Sequence, residues 1–245
     1  MMKHFWWAIV VLLMIVGVAV WALARFFRPS GLHSDQRDEW VEEWINHPED
    51  HADWAIHAGA RCPQAPFQMP TTGFVGYLWD DSFRPGHRHQ GIDIFGGGNP
   101  GETPVYAATD GYLTRLSSWK SSVILRLPQD PLQPNRQVWT YYTHMADPQG
   151  ASFIAPDFPP GSEEVFVKAG TLLGYQGNFS GTPGAPVGVH LHFSVVLDDG
   201  SGSFRNELEI NNTLDPSPYF GLNLNAHQNN GEIPVCAETS TGDLQ

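Results

Sequence analysis

Between Phe67 and Val196 the chain breaks into short β-rich runs punctuated by glycine and proline, and that spacing constrains the fold more than any other feature. The runs are Gly73 to Leu78, His89 to Phe95, Pro104 to Ala107, Gly111 to Leu116, Ser122 to Leu127, Gln137 to His144, Glu164 to Lys168, Thr171 to Gln176 and Val189 to Val196. Each is too short for a stable helix and rich in β-branched and aromatic residues. With 25 Gly and 20 Pro among 245 residues there is turn chemistry to separate them. The prediction is a mainly β fold with an antiparallel sheet core.

Two of these runs carry side chains that ligate metals. In His89-Gln90-Gly91-Ile92-Asp93 an extended backbone puts His89 and Asp93 on one face, because residues i, i+2 and i+4 of a strand point the same way. In His190-Leu191-His192 the two imidazoles likewise share a face. Two imidazoles and a carboxylate form a three-ligand set that leaves a fourth tetrahedral position open, the arrangement a hydrolytic zinc requires. Either pair alone occurs often by chance.

The flanking segments make the reading specific. Gly86-His87-Arg88-His89-Gln90-Gly91-Ile92-Asp93-Ile94, Thr103 to Gly111, Tyr142-Thr143-His144-Met145, Gly174-Tyr175-Gln176-Gly177-Asn178, Gly188-Val189-His190-Leu191-His192-Phe193 and Asp215-Pro216 occur in that order. In this the chain resembles the lysostaphin- or LytM-type zinc endopeptidases that cut peptidoglycan peptides, from about Pro70 to Tyr219. The resemblance implies that His89, Asp93 and His192 hold one Zn2+ and that His144 and His190 stand beside the metal-bound water. It also implies a metal at the floor of a groove walled by loops. Met145 replaces the usual Leu, a volume-conserving change, and Val189 stands where the family commonly has Pro.

The chemistry of these residue types agrees with that reading. Zinc lowers the pKa of bound water to about 7 and polarises a carbonyl, while one neutral imidazole accepts a proton and a second stabilises the developing oxyanion. We expect His190 as base and His144 as the oxyanion-stabilising or water-orienting partner. Tyr142 would share a strand face with His144, so it is a candidate substrate contact, although a half-buried strand aromatic is the simpler reading. A catalytically silent relative that activates a wall amidase would have lost ligands, whereas all five positions are intact here. A zinc endopeptidase acting on a secreted protein is the other alternative.

Other hydrolase signatures are absent. His47-Pro48-Glu49-Asp50-His51 matches neither His-Glu-x-x-His nor its inverse, Pro48 interrupts the helix either would need, and no Gly-x-Ser-x-Gly occurs. A net charge of −13 argues against nucleic acid as a partner. Gly96-Gly97-Gly98 lacks the Lys-Ser/Thr of a phosphate loop and reads as a flexible rim.

The ends of the chain speak to location. Phe5 to Ala24 is an apolar run bracketed by Lys3 and Arg25, and about 20 helical residues span a hydrocarbon core of roughly 30 Å. Residues 1–28 are therefore predicted to be a transmembrane anchor, or a signal peptide cleaved after Ala24. Flanking charges do not decide the orientation; the inferred substrate places the catalytic domain outside the cytoplasm, periplasmic or at the cell surface. Cys62 and Cys236 are the two cysteines of the chain, and export would allow them to form a disulfide.

Residues 29–61 form an acidic segment with two expected helices. The first is capped by Ser34 with Trp40, Val41, Trp44 and Ile45 on one stripe; the second runs from Pro48 through Trp54 and Ile56 to Gly59. They are expected to pack on the catalytic domain, residues 62–225, or to hold it off the bilayer, and residues 226–245 form a polar tail. Two long loops, Pro128 to Arg136 and Ala146 to Ser162, are the expected places for substrate selection.

Overall fold

The structure, a computed structural model, describes residues 35–82 and 86–236. The apolar run at 5–24 and the Ser34 cap lie outside the described residues. Among the described residues no helix is long and apolar enough to cross a membrane.

All nine predicted runs contain strands, trimmed at their ends by the glycines and prolines that bound them. In chain order the strands are β1 (Ala55–Ile56), β2 (Gly73–Tyr77), β3 (Ile92–Phe95), β4 (Pro104–Tyr106), β5 (Gly111–Thr114), β6 (Val123–Leu127), β7 (Val138–Thr143), β8 (Val165–Val167), β9 (Leu172–Tyr175), β10 (Leu191–Leu197) and β11 (Thr213–Leu214). The main sheet has nine strands in the order β1-β2-β3-β10-β7-β6-β5-β8, with β11 added to β10, and β4 and β9 form a separate two-stranded sheet. The main-sheet pairings are antiparallel, as expected of chains linked by turns rather than by crossover helices.

Alternation along the strands divides the main sheet into two unlike faces. One face carries Ile92 and Ile94 of β3, Leu191, Phe193 and Val195 of β10, Tyr142 of β7 and Val123 and Leu125 of β6, all in the large core with Val105 and Leu173 of the small sheet. The other face has no continuous core. It is covered at one end by Val41, Trp44, Phe74 and Phe95 and at the other by Ile124, Trp139, Tyr141 and Val196 under Trp119 and Phe204. A strip of sheet is left open between those two clusters.

Helix α1 (Asp35–Asn46) builds the first cover. Val41 and Trp44 are buried as predicted, but Ile45 is 45% exposed, and Arg37 is the buried residue one turn before Val41. The apolar stripe therefore follows the i, i+4, i+7 positions 37, 41 and 44 and leaves Ile45 at its edge. Trp44 Nε1 donates to the Phe95 carbonyl at 2.6 Å and Tyr77 Oη donates to Asp38 Oδ1 at 2.8 Å, so the helix is fixed to β2 and β3. The second expected helix is corrected. Pro48–Trp54 is a kinked 3-10 segment with His51 at φ −127°, and Ile56 belongs to β1, paired with Gly73. The segment that sequence set apart as 29–61 thus contributes a strand to the main sheet.

Cys62 and Cys236 are disulfide-bonded, with Cα atoms 5.2 Å apart and 174 positions of sequence between them. Closing so long a loop removes entropy from the unfolded chain. Reduction, or replacement of both cysteines by serine, is expected to lower stability by about 2–4 kcal/mol, measured as the shift in the denaturant midpoint. An unchanged midpoint would mean that the bond contributes nothing.

Candidate metal centre

A row of cross-strand neighbours crosses the open strip. Tyr77 pairs with Asp93, Asp93 with His192, and His192 with Thr143. Ser122 continues the row through a 2.7 Å hydrogen bond to the Thr143 hydroxyl. Register alone therefore sets a carboxylate beside an imidazole at the centre of the strip.

The third donor comes from outside the strands. His89 precedes β3, which begins at Ile92, rather than lying within it as predicted. The His89 N–H donates to the Asp81 carbonyl at 2.7 Å, and the Asp80 N–H donates to the His89 carbonyl at 2.8 Å. Two such bonds hold the residue as firmly as a ladder would. Its Nδ1–H donates to the Leu78 carbonyl at 2.8 Å, so the Nε2 lone pair is the one turned toward Asp93 Oδ1, 3.1 Å away, and His192 Nδ1, 3.0 Å away. His192 Nδ1 lies 2.8 Å from the same carboxylate oxygen.

Among the described residues His89, Asp93 and His192 form a buried group able to hold a metal ion. Donors about 2.0–2.2 Å from a tetrahedral zinc lie roughly 3.3 Å from one another, and the three observed separations, 2.8 to 3.1 Å, are within about half an ångström of that edge. Two nitrogens and one oxygen are a donor set zinc accepts, and the Leu78 carbonyl is the outer partner that fixes a ligating histidine. The residues present fit the ion.

Two further histidines flank the group. His144 follows the last residue of β7 with φ at 73°, in the left-handed region that non-glycine residues seldom occupy. That turn carries its ring over the strip, where Nδ1–H donates to the Phe179 carbonyl at 2.7 Å. His190 precedes β10, its Nδ1–H donates to the Gly188 carbonyl at 2.7 Å, and its Nε2 is 3.5 Å from Asp93 Oδ1. The two rings lie 4.4 Å apart, centre to centre. Both therefore present an Nε2 lone pair to the cleft. Gly177 sits where a Cβ would fall 2.5 Å from the His144 carbonyl oxygen and 2.2 Å from that of Ala146, and its own carbonyl accepts from the His190 N–H. Only glycine lets this segment pass between the two histidine-bearing strands.

Burial and mutual charge set the protonation states. Burial works against the charged form of Asp93, yet His89, His190 and His192 hold its carboxyl well below the usual range. Burial pushes His190 down to about 4 and, with its histidine neighbours, also lowers His144 and His192. For His89 burial is outweighed by Asp93, which raises it. At neutral pH the flanking pair is neutral, as a proton acceptor must be.

Tyr142 is corrected. It is fully buried on the opposite face against Phe193, and its hydroxyl accepts from the Ala108 N–H at 3.0 Å. The positive φ of His144 breaks the alternation that would have placed the two residues together, and burial holds the Tyr142 hydroxyl protonated, pushed up to about 12. The cleft, about 740 Å3, is instead walled by Val41 and Ile45 of α1, by Phe179 to Gly181, Val187 and Gly188, and by Glu207 and Leu208. Neither of the two long loops singled out in the sequence lines it. Residues 128–136 are held elsewhere by the buried Asp130, which accepts from Tyr219 Oη and from Arg136. The walls that were missed come from a helix edge and from loops with no unusual composition.

A β-sheet protein with a three-donor cation site open to a cleft is the class this geometry defines. No protein-family model matches the chain, and no curated protein matches it. Solved structures similar to it include three peptidase domains of the lysostaphin and LytM kind. The catalytic domain of lysostaphin from Staphylococcus simulans is 24% identical, over 61% of this chain and 90% of that one, with a TM-score of 0.38. A putative glycyl-glycine endopeptidase, lytM, from Ruminococcus gnavus is 24% identical over 60% and 49%, with a TM-score of 0.35. The catalytic domain of the prophage-encoded protein EnpA from Enterococcus faecalis is 22% identical over 61% and 95%, with a TM-score of 0.35.

Proposed function

We propose that this chain is a zinc-dependent endopeptidase that hydrolyses peptide bonds in peptidoglycan stem or cross-link peptides. The observation that carries the proposal is the convergence of three donors on one point, with two neutral imidazoles aimed at the same cleft. His89 Nε2, Asp93 Oδ1 and His192 Nδ1 would hold the ion. When bound there, zinc supplies a Lewis acid for the scissile carbonyl and makes a water acidic enough to ionise near pH 7.

The protein's own contribution is proton handling. His144 and His190 each have Nδ1–H committed to a backbone carbonyl, so each receives a proton only at Nε2. One of them takes the proton of the attacking water as the new C–O bond forms. That ring, now an imidazolium with an Nε2–H, returns the proton to the departing amine nitrogen as the C–N bond breaks. The second ring becomes an oxyanion donor only in its protonated form, which burial disfavours, so its simpler task is to orient the water. Disulfide bonding of Cys62 to Cys236 supports placing this domain outside the cytoplasm, and residues 5–24 would tie it to the membrane.

His144→Ala or His190→Ala is expected to leave about one zinc per chain while slowing peptide cleavage by about 10²–10⁴, chiefly in kcat. Zinc analysis and steady-state kinetics on the same preparations check this. Near-normal turnover in both variants with zinc bound would remove the flanking pair from the mechanism.

A further inference from the structure

The cleft has a charge pattern that the hydrolytic site does not use. Apart from Asp93, the one carboxylate among its described lining residues is Glu207, and no lysine or arginine stands beside it there. Glu207 belongs to the loop after β10 that also carries Phe204, which packs on Trp119 and Trp139. Tyr141, which lines the same cleft, is two residues before Thr143 on β7, about 7 Å along the strand, so this part of the wall extends the cleft beyond the metal row.

The carboxylate is partly buried and, among the described residues, receives no hydrogen bond from another residue and no ion pair. Three other polar groups of the lining are matched to one another: Ser122 Oγ is 2.9 Å from Tyr141 Oη and 2.7 Å from Thr143 Oγ1. A partly buried carboxylate without an ion pair is a ready acceptor for a cation. Among the described residues its own backbone N–H is the one donor to it, and burial outweighs that bond, so the carboxyl is pushed above its ordinary value. A bound cation relieves the cost of that burial.

We propose that Glu207 is a specificity-determining subsite for a primary ammonium group of the peptide substrate, either a free N-terminal amine or the side-chain amine of a diamino acid. An ammonium donates up to three hydrogen bonds, and the Glu207 carboxylate offers two acceptor oxygens for them. Val41, Ile45 and Val187 of the lining are apolar, so Glu207 is the charged feature of the wall apart from the metal row. This assignment rests on the endopeptidase reading.

The test uses the zinc-loaded full chain and a synthetic stem pentapeptide with lysine at its third position. Its N-terminal and side-chain amines are acetylated separately and together. Affinity is measured by calorimetry in the cold, and mass spectrometry of the recovered peptide establishes whether it was cut; where it is cut, kcat/KM is compared instead. Acetylation of one of the two amines is expected to weaken the wild-type interaction about fivefold, and the amine that responds identifies the source of the ammonium. In Glu207→Gln that ratio is expected to fall close to one, a change that a merely structural role in the loop would not produce. Binding that is indifferent to both acetylations, a ratio that survives in Glu207→Gln, or no binding of any peptide overturns the assignment. Release of peptides from whole sacculi by the same preparation reports separately on the endopeptidase reading, so the two fail independently.

Discussion

Replacing His89 or His192 with alanine is expected to remove both the zinc and the activity. Three protein ligands are the minimum for a tight site with an open position, and two leave the ion held by one imidazole and one carboxylate. Among the described residues no other side chain belongs to this three-donor group. The loss also acts on the fold. Asp93 is kept ionised in a buried setting by the histidines around it, and removing either leaves a carboxylate with less to stabilise it. Elemental analysis after gel filtration is expected to give less than about 0.1 zinc per chain in both variants, with cleavage below detection. Stoichiometric zinc in either one would exclude that residue from the ligand set.

Gly91→Ala is expected to disturb the fold and the metal site together. A Cβ at position 91 would lie 2.1 Å from the Phe193 carbonyl oxygen and 3.0 Å from His192 Nε2. The obstruction is backbone, not the end of a flexible side chain, so it is relieved only by moving β10 away from the approach to β3. Those two strands carry His192 and Asp93 as register partners, and a shift of a few tenths of an ångström there is a shift of the metal site itself. A stability loss of about 4 kcal/mol, in the range reserved for overpacking and backbone clashes, should accompany a fall in zinc affinity. Denaturant midpoints and zinc titration of the variant measure the two separately; wild-type values in both would show that the strands yield at no cost.

Part of this was legible in the sequence because Asp93 and His192 lie in two of the nine β-rich runs, each of which contains a strand. Register between β3 and β10 then sets the two side by side. Where legibility failed, backbone geometry had intervened. His89 reaches the site through two main-chain hydrogen bonds before β3, and the positive φ of His144 parts it from Tyr142; neither leaves a mark in residue type. Ile56 reads as the end of a helix until Gly73 and Phe74 are available to pair with its strand. The walls of the cleft were illegible for another reason. Val41 and Ile45 have the spacing of any amphipathic helix, and only tertiary packing decides which edge of that helix overlooks a metal site.

Digestion of purified sacculi tests the central claim most directly. The zinc-loaded full chain is expected to release soluble peptidoglycan fragments, with one new primary amine and one new carboxylate for each bond cleaved; a chelator should stop the release and one equivalent of zinc per chain should restore it. A preparation containing one zinc per chain that releases nothing from sacculi, or release that persists with the zinc removed, would contradict the account.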